Sequence, residues 1–69
     1  MDKVELDTEY PEAWQDLPLL LAVPRAAKLM GISRSAGYRL AHAGELPIKP
    51  LGGRIYVITA RLREMMEAA

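Results

Sequence analysis

The chain has 69 residues, no cysteine, and equal numbers of acidic and basic residues, so its formal net charge is zero. This length predicts one small domain, stabilised by apolar packing without disulfides or a cysteine-based zinc site. No apolar run approaches the roughly 18 residues of a membrane span, and the start of the chain, Met-Asp-Lys-Val-Glu, lacks the basic and then apolar pattern of a signal peptide. We therefore expect a cytoplasmic protein that does not enter a membrane.

The zero net charge hides two segments of opposite sign. Residues 1–17 hold six acidic residues and one basic residue, for a net charge of −5, whereas residues 18–69 hold eight basic and three acidic residues, for +5. The division predicts an acidic N-terminal arm over residues 1–18 and a basic domain over residues 19–69.

The end of the acidic arm has the spacing of a short amphipathic helix. Tyr10, Trp14 and Leu17 stand at i, i+4 and i+7, and Pro11 suits a first helical turn. We expect a helix at residues 11–17. It would either pack Trp14 onto the domain as a lid or dock onto a second protein.

Two short helices separated by a tight turn are predicted after an extended segment at residues 19–23. Pro24 suits the start of the first helix, Ala27 is small enough for a helix contact, and Gly31 can adopt the left-handed backbone of a turn. The apolar residues expected to be buried around the turn are Met30, Ile32 and Leu40. This pattern is typical of a helix-turn-helix.

The second of these helices is predicted over residues 34–43, with Ser33 as its N-cap and Gly44 at its end. Its inward side would carry Ile32, Gly37, Leu40 and Ala41. The remaining face has no acidic residue and consists of Ser33, Arg34, Ser35, Tyr38, Arg39 and His42. Arginine can bind guanine or phosphate, and hydroxyls and a helix N-terminus suit phosphate oxygens, so this face predicts contact with double-stranded DNA.

A two-residue hairpin is predicted next, with Gly52 and Gly53 between strands at residues 48–51 and 54–58. Pro50 restricts its strand to the edge of a sheet. Placed after a recognition helix, the hairpin forms a wing. Gly53 would let its backbone approach DNA and Arg54 would enter a minor groove, unless Arg54 is simply an exposed charge that protects the hairpin edge.

A last helix is predicted from Ala60 to Ala69, with Thr59 as its N-cap. Its apolar stripe would be Leu62, Met65, Met66 and Ala69, which we expect to lie in the core. Together, these elements predict a mainly α fold with a small β-hairpin, which is a winged helix-turn-helix.

An enzymatic role is not expected. The chain has a single histidine and no cysteine, and its basic domain has neither paired carboxylates nor a glycine-rich phosphate loop. We therefore expect neither a metal nor a cofactor.

Four stretches then occur in a distinctive order: residues 26–35, 38–40, 44–47 and 52–57. Through them, residues 20–66 resemble the small winged-helix domains of phage and plasmid excisionases. These proteins, also called recombination directionality factors, are related to the DNA-binding domains of mercury-resistance-type regulators.

The resemblance implies that the second helix lies in the major groove and the wing in the adjacent minor groove. The groove contacts implied on this chain are Arg34, Ser35, Tyr38, Arg39 and Arg54. It also implies binding to repeated sites, DNA bending, and contact with a tyrosine-type integrase that is thereby directed toward excision. Gly37 stands where the family usually has a β-branched residue, so the second helix is expected either to be mobile or to lie close against a neighbour.

Two other functions stay open alongside an excisionase. A small transcriptional regulator could use the same winged helix, and a protein-interaction module could use the surface of Tyr10, Trp14 and Leu17. Because one small module reaches only a few base pairs, we also expect copies to associate cooperatively on tandem DNA sites.

Overall fold

The structure, a computed structural model, describes residues 14–68. One turn of 3-10 helix at Trp14–Asp16 precedes three strands and three helices, which are β1 (Leu20–Ala22), α1 (Val23–Met30), α2 (Arg34–His42), β2 (Ile48–Leu51), β3 (Arg54–Ile58) and α3 (Thr59–Glu67). The strands form one antiparallel sheet in the order β1-β3-β2. This is a winged helix-turn-helix, so the predicted fold class is confirmed.

The helix predicted at residues 11–17 can be compared with the structure only from residue 14 onward. Tyr10 and Pro11 lie outside the described residues, and the helix expected at residues 11–17 is represented by the single 3-10 turn. Trp14 and Leu17 pack against the hydrophobic core, so Trp14 covers the domain as the lid interpretation predicts.

The extended segment before α1 forms β1, one of the two edge strands of the sheet. Leu21 pairs with Val57, and both side chains are buried in the core. Thus β3 is the central strand, with β1 on one side and the wing strand β2 on the other. The sequence indicated that residues 19–23 are extended but did not indicate their partner.

The wing is the hairpin of β2 and β3. Leu51 pairs with Arg54 across the turn, and Gly52 and Gly53 have φ values of 62° and 82°, as a two-residue turn with left-handed backbone requires. Pro50 lies in β2, an edge strand. The hairpin, its turn and its edge position are therefore confirmed.

The turn between α1 and α2 depends on Gly31, whose φ is 80°. The Gly31 N–H donates to the carbonyl of Lys28 at 3.1 Å, and the Ile32 N–H donates to that of Ala27 at 3.0 Å. This pair of bonds is a Schellman motif, which satisfies the last carbonyls of α1 and redirects the chain. The predicted role of Gly31 is confirmed.

The two motif helices touch closely at Gly37. A Cβ added to this buried glycine would lie 2.8 Å from the Cβ of Ala27 and 3.4 Å from Cγ1 of Val23. A β-branched residue has no room here. Of the two explanations offered by the sequence for this glycine, the structure supports a helix held closely against its neighbour.

The core lies between the helices and one face of the sheet. Its buried residues are Leu21, Val23, Ala26, Ala41, Leu46, Val57 and Leu62. Met30, Ile32 and Leu40, which were expected to be buried, are only partly buried. None of the helices in residues 14–68 is long and apolar enough to cross a membrane.

The prediction that Thr59 caps α3 is wrong. Thr59 is the first residue of the helix, and the N-cap is Ile58, which makes no side-chain capping bond. The Thr59 hydroxyl instead donates to the carbonyl of Pro18 at 2.6 Å, and its N–H donates to the carbonyl of Leu19 at 3.0 Å. Thr59 therefore ties α3 to the chain entering β1, because β3 continues into α3 without a loop.

The predicted apolar stripe of α3 is also wrong in most positions. Leu62 is fully buried, but Met65 and Met66 are 39% and 46% exposed, and Ala69 lies outside the described residues. Only the first turn of α3, through Thr59 and Leu62, is buried. The later turns extend beyond the small core.

Replacing Gly37 with alanine should destabilise the fold, although alanine is the better helix former. Overpacking costs about 1–3 kcal/mol, whereas the gain in helix propensity is about 1 kcal/mol. We expect Gly37→Ala to lower the midpoint of urea unfolding, followed by circular dichroism.

The matched control is Ala27→Gly, which removes the atom that the new methyl group would meet. The double variant should lose less stability than the two single changes added together, because the close contact couples them. A Gly37→Ala protein more stable than its parent would contradict this contact.

Candidate nucleic-acid interface

The outward face of α2 carries most of the predicted contact residues. Ser33, Arg34, Ser35, Arg39 and His42 are exposed, and Gly37 and Ala41 are buried. The face thus has two cations and two hydroxyl groups and, as the sequence indicated, no acidic residue.

The N-terminal end of α2 is capped by a side chain but is not neutralised. The Oγ of Ser33 accepts a hydrogen bond from the N–H of Ala36 at 3.0 Å, so the predicted N-cap is confirmed. The Ser33 hydroxyl proton remains available to a phosphate oxygen. Because the first turn contains no acidic residue, the partial positive charge of the helix end is also available to an anion.

The two arginines of α2 occupy different parts of this surface. Ser35, Arg39 and His42 stand at i, i+4 and i+7 and form one exposed row. Arg34 is separated from Arg39 by about 140° around the helix axis, but it is the first helical residue. A partner that contacts both arginines must therefore meet the end of α2 as well as its exposed row.

Tyr38 lies at the border of the exposed face. The sequence placed it among the outward residues, whereas the structure shows a half-buried side chain that packs against the core. Its ring also stacks on His42, with centroids 6.3 Å apart and planes 21° apart. Tyr38 therefore supports the position of His42 and presents less free surface than expected.

The wing presents a second polar surface. In the antiparallel register, Leu51 is opposite Arg54 and Lys49 is opposite Tyr56, so these four side chains share one face of the ribbon. Lys49, Leu51 and Arg54 are exposed, while Val57 on the other face is buried.

The turn itself is open, since Gly53 has nothing within 4 Å of the place where a Cβ would stand. The backbone at the wing tip can therefore come close to another molecule. Sequence reasoning found Gly53 and Arg54 but missed Lys49, whose signal is the alternation of faces along β2.

The basic groups of these two surfaces are not neutralised within the described chain. Between residues 14 and 68, Arg34, Arg39 and Arg54 form no ion pair, whereas Arg63 donates to the carboxylate of Glu67 at 3.3 Å on α3. Residues 14–68 also contain no group of three side chains that could hold a metal ion. The exposed positive charge of these arginines is therefore compatible with an anionic partner.

A capped helix with an exposed cationic face, a tight glycine turn before it and a basic hairpin after it define a winged helix-turn-helix module. In this architecture the second helix of the motif lies in the major groove of DNA. The model of the helix-turn-helix domain family matches residues 20–69, and the chain belongs to this family.

Two curated relatives come from Mycobacterium tuberculosis, strains CDC 1551 / Oshkosh and ATCC 25618 / H37Rv, and both are provisionally named DNA-binding proteins. Each is 36% identical to this chain over 63 residues, which is 91% of this chain and 81% of the relative. No solved structure matches the chain.

The Ser33 cap can be separated from the chemistry of the face. Ser33→Ala should lower the free energy of unfolding by about 1 kcal/mol, because the Ala36 amide loses its acceptor. Ser33→Asp should keep the parent's stability, since aspartate is an equally good N-cap. Urea unfolding of the three proteins measures this, and an alanine variant as stable as the parent would show that the bond contributes nothing.

Proposed function

We propose that this protein binds double-stranded DNA sequence-specifically, with α2 in the major groove and the wing in the adjacent minor groove. The observation that carries the proposal is the exposed face of α2, which has Arg34 at the positive helix end and Arg39 in a row free of acidic residues. The wing adds Arg54 beside an open glycine turn. Both relatives carry names that describe DNA binding.

Each group has a definite role in this proposal. Arg39 and Ser35 face the base edges or the adjacent phosphates, and Ser33 with the first amides of α2 holds a phosphate. Tyr38 supports His42, whose ring meets the DNA backbone. Arg54 enters the minor groove, and Gly53 allows the backbone to follow it.

We propose further that the biological role is that of an excisionase, which bends attachment-site DNA and directs a tyrosine-type integrase toward excision. The support is the resemblance carried by residues 26–35, 38–40, 44–47 and 52–57, now placed on the motif helices, the loop and the wing. In this role the protein itself performs no chemistry. It supplies architecture to an enzyme that does.

Cooperation between copies follows from the size of the module. One winged helix buries on the order of 600–1,000 Å² on DNA, so a single copy binds modestly. Adjacent copies on tandem sites, or contacts shared with a bound integrase, would raise occupancy.

Arg34→Ala and Arg39→Ala should each weaken specific DNA binding by about 1–3 kcal/mol while leaving the fold intact, because both side chains are exposed. Electrophoretic mobility shift with competitor DNA measures binding, and circular dichroism checks the fold.

Arg63→Ala is the charge-matched control, since it removes one cation from α3 that is already paired with Glu67. Ser33→Asp tests the helix end, because it keeps the cap but adds a negative charge that should repel phosphate. If the two α2 variants protect the same site at the parent's affinity, α2 is not the recognition helix.

Salt dependence tests how the protein holds DNA. With about five phosphate contacts, a plot of log K against log salt should have a slope near −4.5. If Arg39 binds phosphate, Arg39→Ala should reduce the magnitude of this slope by about 0.9. If Arg39 binds guanine, the slope should not change. A slope near zero would contradict the proposed interface.

Footprinting over an attachment site, with and without integrase, separates excisionase from regulator. An excisionase should protect repeated sites in that region and increase excision when added to integrase. Protection of a promoter without an effect on recombination would favour a regulator. Absence of DNA binding at micromolar protein would favour a protein-interaction module, although Trp14 and Leu17 already pack against the core.

A further inference from the structure

An apolar side chain stands beside the cations at the wing tip. Leu51 is 52% exposed and is the last residue of β2 before the glycine turn. One exposed leucine on a surface is ordinary. Its surroundings are less so, because Lys49 and Arg54 share its face of the ribbon and are exposed as well.

The hairpin geometry places Leu51 and Arg54 foremost on the wing. They form the pair that closes the turn, and the two residues between them are glycines without side chains. The first side chains that an approaching surface meets at this end of the wing are therefore one leucine and one arginine. Pro50, with its fixed φ, stiffens the strand immediately before them.

We propose that Leu51 is a second DNA-contacting residue of the wing, which packs into the minor groove as an apolar wedge while Arg54 supplies the charge. This inference rests on the proposed DNA binding. The minor groove is lined by sugar faces and base edges, and an apolar side chain inserted there unstacks a base step and bends the duplex. Leu51 thus gives the wing a contribution that salt does not screen.

The choice of DNA as the occupant follows from the charges around Leu51. A site for an apolar protein surface would bury Lys49 and Arg54, which form no ion pair in the described residues and would lose their hydration. Against the minor groove, the same two cations face phosphates. Contact with a neighbouring copy is the alternative outcome of the test.

The experiment uses the full chain and the sequence that the parent protein selects from a randomised DNA pool, placed in a short duplex to measure affinity and in longer, circularly permuted fragments to measure bending. Leu51→Thr keeps a strand-forming residue and should weaken DNA binding about tenfold at every salt concentration. The slope of log K against log salt should not change, and the DNA bend measured in a circular-permutation assay should be smaller. Arg54→Ala should instead reduce the magnitude of the slope of log K against log salt by about 0.9.

The matched control is Leu19→Thr. Leu19 is 85% exposed and precedes β1, whose residue Leu20 pairs with Ile58 at the end of β3 opposite to the wing tip. This variant should bind and bend DNA like the parent. If threonine weakens the hairpin, Leu51→Gln replaces it as the polar variant, with the same expected result. Leu51→Met keeps an apolar side chain and should bind and bend DNA like the parent.

Two results would overturn the inference. In the first, both polar variants bind and bend the duplex like the parent. In the second, they bind one site normally and lose only the cooperativity between adjacent sites, which would assign Leu51 to a contact between copies. If the parent protein selects no DNA sequence at all, the proposed function itself fails, and that result is distinguishable from both.

Discussion

The close contact between the two motif helices determines how the outward face of α2 is presented. With the Cβ of Ala27 only 2.8 Å from where a side chain on Gly37 would begin, α1 and α2 approach at backbone distance. The Schellman turn at Gly31 brings them to this position. The row on the other side of α2, with Arg39 at its centre, is therefore mounted on a helix with little freedom to shift. The proposed recognition of DNA bases by α2 requires a helix that is held in this way.

Features that depend on neighbours in the chain could be predicted from the sequence. A local backbone requirement is met by Gly31, by Ser33 and by the Gly52-Gly53 turn. In each case the residue type alone indicates that requirement, which is a left-handed backbone for glycine and an N-cap for serine. Pro50 likewise excludes a central strand. The candidate contact residues on α2 followed from helical spacing once these boundaries were set.

Features that depend on distant parts of the chain could not be predicted. The pairing of β1 with β3 and the bond from Thr59 to Pro18 join segments some forty residues apart, and no local pattern encodes such a partner. For Met65 and Met66, helical periodicity identifies the apolar side of α3, but the extent of the core decides how much of that side is covered. Tyr38 shows the same limit, since its wide ring spans the border between face and core.

The direct passage of β3 into α3 has a mechanical consequence. Because no loop intervenes and Thr59 is bonded to the backbone carbonyls of Pro18 and Leu19, the first turn of α3 is fixed to the end of the central strand. From Arg54 to Ile58 this strand spans about 13 Å, which makes it a spacer of constant length. The wing tip and the start of α3 thus lie at the two ends of one strand, and the length of that strand sets the distance between them.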